Sequence, residues 1–249
     1  ENIRDISEDF ILKNDKHKIQ RHCEVKGTVH VDKNKINHFL NKLSYPVHYL
    51  DFETFTNAIP MFDDLHSYFQ VPFQFSLHIR KEENSKLEHH EFLYDGKGDP
   101  RKEFIKELKK VLGSEGSIVV YNQSFEITRL KELGEHFPEH KEWIESVLKR
   151  IADLYALFRD FGYYNPKQQG HAGLKYVLPA ITGKNYYNLE INDGGTASVE
   201  FFNMTYNKEF KGNGKKVRDN LLEYCGLDSE AEAMIVEKLK YGVLIKNES

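Results

Sequence analysis

The sequence predicts an α/β protein, a mixed β-sheet with helices on its faces. Three observations carry that expectation. From residue 47 the periodicity runs strand, two further strands around a polar turn, helix, strand, helix, and then helices only. Strands joined by a tight turn are antiparallel and a strand reached across a helix is parallel, so one sheet holds both senses. The chain closes on "RDNLLEYCGLDSEAEAMIVEKLKYGV" (218–243), whose apolar residues recur three and four apart as in a long helix.

The elements follow in chain order. Residues 1–45 read as a lead-in. Within it "KNDKHKIQRH" (13–22) is a basic run, solvated or partly ordered, and "DKNKINHFLNKL" (32–43) is a short helix stopped by Ser44, Tyr45 and Pro46. The folded domain spans 46–245. Its first strand is 47–53; strands 70–80 and 87–94 form a hairpin across "KEENSK". Helix 99–113 has Asp99 as N-cap, Pro100 at its first position and Gly113 as its stop. A β-branched strand at 116–122 precedes helix 124–137. A further helix, 140–150, runs on into 151–158. Residues 162–173 are loop, 174–181 helix, and 182–217, rich in Gly, Asn, Tyr and Lys, loop with a short helix.

Composition narrows the function classes. With 249 residues, 39% of them hydrophobic and 13% aromatic, the chain has the core material that disordered segments lack. No apolar run approaches the roughly 20 residues of a membrane span and no signal peptide is visible, and with only two cysteines a reducing cytoplasm is the expected compartment. Cys23 and Cys225 are too few for a disulfide framework or a zinc ribbon. A zinc site built on His89 and His90 lacks the usual ligand spacing. The net charge of -4 argues against phosphate attraction over the whole surface, although a local basic patch or a bound metal reverses the field at one site. The first residue is Glu1 rather than methionine, which reads as a processed or excised piece of a longer chain.

The chemistry concentrates in "VHYLDFE". Asp51 and Glu53 lie two apart in a strand and therefore on one face. Two carboxylates held there repel and lose water, and a divalent cation offsets both penalties. Glu126 follows the strand at 116–122, in the first turn of the next helix. Tyr224 and Asp228 are four apart on one face of the closing helix. Asn122 suits the strand-to-helix turn, by side-chain hydrogen bonds or as a substrate contact, and Phe125 suits the core better than a stacking platform.

Taken in order, Asp-x-Glu, Asn-x-x-Phe-Glu and Tyr-x-x-x-Asp resemble the three motifs of the DEDDy 3′–5′ exonucleases of the ribonuclease H-like superfamily, over roughly residues 47–240. "AIPMF", "VPFQFSLHI", "GLKYVLPAI" and "LLEYCGLDSEAE" are also similar to an uncharacterised bacterial domain family within that superfamily, whose members carry a nuclease-like region upstream. The resemblance implies a sheet of about five strands, a closing C-terminal helix bearing the last motif, and hydrolysis of DNA or RNA phosphodiesters, at a single-stranded end, with two Mg²⁺ or Mn²⁺ ions. It assigns Asp51, Glu53, Glu126 and Asp228 to the ions and Tyr224 to the attacking water. Glu126 stands where the pattern has aspartate, and its extra methylene favours Mn²⁺, the more forgiving ion. Asp153 resembles an acid seen after the second motif in related nucleases, and His171, from the loop 162–173, is a candidate base whose part the tyrosine motif already fills; both are candidates for supporting the ligands from behind. Thr54, Phe55, Asn122, Phe125 and Lys175 are candidate substrate contacts, the first two opening the aromatic loop 54–70. The rival readings are a catalytically inactive nucleic-acid-binding or scaffolding module of the same fold, and a metal-dependent phosphoesterase acting on small nucleotides.

Overall fold

A computed structural model describes residues 3–7 and 14–243. Parts of the lead-in (1, 2 and 8–13) and the expected domain end at 244 and 245 lie outside these. The chain divides into two compact units, 1–43 with 153–185 and 231–249, and 44–152 with 186–230.

The second unit is α/β. It holds a five-stranded mixed sheet with spatial order β4-β3-β2-β5-β6, where β2 is Val47–Phe55, β3 Val71–Arg80, β4 Leu87–Leu93, β5 Ile118–Val120 and β6 Ile151–Asp153. Strand β2 runs antiparallel to β3 and parallel to β5, and β3 and β4 form the expected hairpin. Alternation along β2 and β3 sorts their side chains into two sets. Leu50, Phe52, Phe75 and Leu77 enter a core completed by Phe104, Ile105 and Leu108 of helix α3 (Arg101–Val111), Leu130 and Leu133 of α4 (Ser124–His136) and Ile144 of α5 (Lys141–Leu148). Asp51, Glu53 and Phe55, with Gln74, Ser76 and His78, form the other set, which meets helices α8 (Gly194–Tyr206) and α9 (Gly214–Lys238).

The register slips between Glu53 and Thr54, so Phe73 has no residue opposite it on β2. A bulge of this kind re-aims a side chain. Here Phe73 stacks on Phe201 of α8 at 3.7 Å between centroids, with Phe55 5.5 Å from the same ring. Such pairs add about 0.5–1.5 kcal/mol each beyond area burial. The cluster anchors α8 beside the last residues of β2.

The first unit contains α1 (Asp15–Lys26), β1 (His30–Val31), α2 (Lys33–Leu40), α6 (Leu154–Arg159), β7 (Tyr163–Tyr164) and α7 (Leu174–Thr182). Its two-stranded sheet pairs His30 with Tyr164 and Val31 with Tyr163.

The basic run, expected as solvated or partly ordered, is helical from Asp15 onward as α1, capped by the Asn14 side chain and burying only Cys23. Three expectations change. Pro100, not Asp99, occupies the N-cap position of α3; Asp99 Oδ1 still accepts from the Arg101 N–H at 3.0 Å. Residues 151–153 are the edge strand β6 rather than helix, and Asp153 ends it by capping α6. Loop 162–173 contains β7 and a 3-10 turn at Pro166–Gln168.

Candidate functional site

Each acidic side chain reaches the site for a local reason. Asp51 and Glu53 project from β2 toward α9. On that helix Leu221, Cys225, Asp228 and Ser229 follow the spacing of a single helical face. The face is tied to the sheet by hydrogen bonds. Gln74, opposite Glu53, donates its Nε2 to Leu221 O at 2.8 Å. Ser229 Oγ lies 2.7 Å from Ser76 Oγ and 2.9 Å from His78 Nδ1, and the Cys225 thiol donates to Asp51 Oδ2 at 3.4 Å.

The result is a carboxylate cluster. One oxygen from each of Asp51, Glu53 and Asp228 lies within 4.8 Å of the other two. Glu53 and Asp228 are buried and Asp51 is partly exposed. The Asp51 carboxyl is held well above the usual carboxylate range, first by lost hydration and then by the charges of Asp228, Glu53 and Glu126. Tyr224 hydrogen-bonds Asp228, and burial together with Asp228, Glu53 and Asp51 pushes its phenol far above its ordinary value, so it stays protonated at any physiological pH. Burial and the same acids raise the Cys225 thiol, which stays neutral as well. The available donors are therefore carboxylate oxygens, the hard ligands that Mg²⁺ and Mn²⁺ take.

The structure brings Asp51, Glu53, Asp228 and Tyr224 together. Glu126, in the first turn of α4 and 2% exposed, is outside the 4.8 Å group, although its charge bears on Asp51. Asn122 takes a positive φ of 78°, and its Oδ1 accepts from Ser124 Oγ at 2.8 Å, so it shapes the turn into α4. Phe125 packs against the core with Arg129 over its ring. Phe55, 1% exposed among Phe73, Phe201, Phe202 and Tyr206, is a core residue in this structure and presents no face to a base. Thr54 is partly exposed at the bulge. Asp153, His171 and Lys175 belong to the first unit, where Asp153 caps α6 and His171 stacks on Tyr176.

Sequence reasoning missed three neighbours of the cluster. Tyr186 donates its hydroxyl to Asp228 Oδ1 at 2.6 Å. It sits in an aperiodic stretch that gave no signal. Gln74 is one of the polar positions of an alternating strand, and only the pairing register places it beside Glu53. Gly194 opens α8 so close that a Cβ there would lie 3.6 Å from Glu53 Oε2. The positive end of that helix thus adjoins a carboxylate.

A family model described as a domain of unknown function, DUF2779, matches residues 48–173, half of the chain. The chain belongs to the DUF2779 family. The matched span of DUF2779 contains Asp51, Glu53 and Glu126, whereas Tyr224 and Asp228 lie beyond it. Among curated proteins, the chain is similar to "Uncharacterized protein MG366" of Mycoplasma genitalium, 28% identical over 82% of this chain and 33% of that protein. It is also similar to the MG366 homolog of Mycoplasma pneumoniae, 24% identical over 86% of this chain and 35% of that protein. This DUF2779 chain thus spans about a third of the length of the curated relatives it matches. No solved structure matches it. Among the described residues no helix is long and apolar enough to cross a membrane.

Proposed function

We propose that the chain is a metal-dependent nuclease, a 3′–5′ exonuclease of the ribonuclease H-like, DEDDy type that works on single-stranded DNA or RNA ends with two Mg²⁺ or Mn²⁺ ions. The observation that carries the reading is the carboxylate cluster of Asp51, Glu53 and Asp228 with Tyr224 bonded to one member. Its support is threefold. Acids this close repel unless a cation joins them, the donors are all hard oxygens, and they sit on the central strand and on the C-terminal helix, as the resemblance implies.

In this reading Asp51, Glu53 and Asp228 would hold the metal, with Glu126 adding its charge to the same site. When bound, the ions supply an acidified water and neutralise charge on the attacked phosphate and the leaving oxygen. The protein supplies position. Tyr186 and Tyr224 both donate to Asp228 and fix its rotamer. With its proton committed to Asp228, Tyr224 keeps an oxygen lone pair that accepts a hydrogen bond from the water and aims it. A phenol shifted upward is a poor base, so its part is orientation.

The second reading, a catalytically silent nucleic-acid-binding module, draws on one observation, the place of Glu126 outside the carboxylate group. The deciding experiment is incubation of 5′-labelled single-stranded DNA and RNA with the protein and Mn²⁺. The proposal expects a ladder shortening from the 3′ end that chelation abolishes; uncut substrate in every lane favours the silent module. Within the active protein, Tyr224→Phe should slow hydrolysis about 10- to 100-fold, the scale of losing alignment rather than a cation. Its metal-induced rise in melting temperature should survive. An unchanged rate removes the tyrosine from the mechanism.

A further inference from the structure

The first unit contains a cleft of about 840 Å³, which differs in kind from the carboxylate cluster because its described lining residues include two lysines and two histidines and no carboxylate. Lys18 and His22 stand one turn apart on α1, His30 comes from β1, and Lys33 opens α2. Ile19 and Val31 supply aliphatic surface between them. The volume falls in the range of about 300–1,000 Å³ found for small-ligand sites.

The local charge differs from that of the chain. Residues 14–35 carry six Lys and Arg against three Asp and Glu, in a protein whose net charge is -4. Lys18 pairs with Asp15 at 2.8 Å, but both are exposed, and such pairs are weak enough to yield to a better anion. Helix α1 buries only Cys23; Lys16 is committed to Asp160 and Arg21 to the Ile6 carbonyl, while Lys18 and His22 line the cleft. A divalent cation finds no carboxylate among the described lining residues. A ligand pairing a phosphate with a flat apolar group matches basic donors around an aliphatic floor.

We propose that this cleft is a nucleotide-binding site, with the phosphate held by Lys18, His22, His30 and Lys33 and the base over Ile19 and Val31. The identity of the anion rests on the nuclease reading; the existence of an anion site does not. Two sources supply the same chemistry, a free nucleotide and one unit of a single strand.

The test is equilibrium binding by the full chain in chelator, so no hydrolysis is required. The probe is a fluorescent oligothymidylate, with inorganic phosphate, thymidine 5′-monophosphate and a polyglutamate peptide as competitors. Lys18→Glu with Lys33→Glu should weaken oligonucleotide binding at least tenfold. It should also flatten the log affinity against log salt plot by about 1.4, at about 0.7 per phosphate contact on a single strand. Lys102→Glu with Lys106→Glu, at exposed positions of α3, changes net charge equally and should leave binding within twofold. Competition by the mononucleotide at low concentration assigns the cleft to a free nucleotide, and competition by the oligonucleotide alone assigns it to the strand; both uphold the site. An equal loss in the control pair, no binding at all, or polyglutamate competing as well as the oligonucleotide overturns it. Thermal melts of both double variants verify the fold. Loss of binding here with hydrolysis retained, or the reverse, separates this proposal from the catalytic one.

Discussion

Asp51→Asn should do two opposite things, destroying hydrolysis and stabilising the metal-free protein. The amide keeps the shape of the carboxyl and loses its charge, so the site would lose a charged metal ligand and the rate should fall at least about 10³-fold. Stability moves the other way because the folded state holds Asp51 under strain. Its carboxyl is raised in the native protein above the ordinary value of about 3.9. Between that value and the raised one the native state binds more protons than the unfolded chain, so metal-free stability falls as pH rises through the interval. The Asn variant lacks this dependence on its own account. At pH 7.5 in chelator it should melt about 3–6 °C higher, for about 1–2 kcal/mol of relieved repulsion in a chain of this size. With Mg²⁺ or Mn²⁺ at roughly 100 times the dissociation constant, wild type should gain about 5–10 °C and the variant little. Calorimetry across pH, with and without metal, checks each part. If the variant melts lower than wild type in chelator, the cluster is not under the repulsion inferred for it.

That result would also bear on how much the sequence disclosed. Asp51 and Glu53 on one face, and Tyr224 with Asp228 on one face, follow from periods of 2 and 3.6 residues, and those periods held in β2 and α9. The hairpin was legible because β3 and β4 alternate and a polar turn divides them. Strand β6 was not. Three residues between two helices are too few to show a period, and the apolar spacing of 140–158 suits helix throughout; pairing beside β5 selects the strand. Phe55 reads as a loop aromatic because the strand expected in the sequence stops at Glu53; β2 runs on to Phe55, and alternation with Asp51 and Glu53 turns its ring onto α8. Tyr186 reaches Asp228 across 42 residues, a long-range contact that no window of sequence contains.

Gly116 illustrates the same limit with a larger energetic consequence. In the sequence it opens the strand expected at 116–122, but the structure starts β5 at Ile118 and places two separate demands on it. Its φ is 77°, in the left-handed region, and a Cβ on it would lie 1.8 Å from the carbonyl oxygen of Pro46. The clash has no easy relief because both segments are pinned. Ser117 N donates to Ser44 O at 2.9 Å, His48 N to Ser117 O at 2.9 Å, and Arg150 Nε to Gly116 O at 2.8 Å. Gly116→Ala should therefore destabilise the fold by about 4 kcal/mol or more, backbone strain accounting for roughly 1–3 of it and displaced backbone for the rest. Gly113 provides the control. Its φ of 63° is equally left-handed, but its Cβ would meet nothing nearer than His48 Nε2 at 4.0 Å, so Gly113→Ala should cost only about 1–2 kcal/mol. Urea unfolding of the two variants measures the difference. Similar losses would mean that β2 and β5 part easily at this end. A large gap would have a second consequence at the site, since the register His48 to Ile118 and Tyr49 to Val119 sets the strand carrying Asp51 against the strand that leads to Glu126. Gly116→Ala should then weaken metal-induced stabilisation even below its melting temperature, while Gly113→Ala leaves it intact.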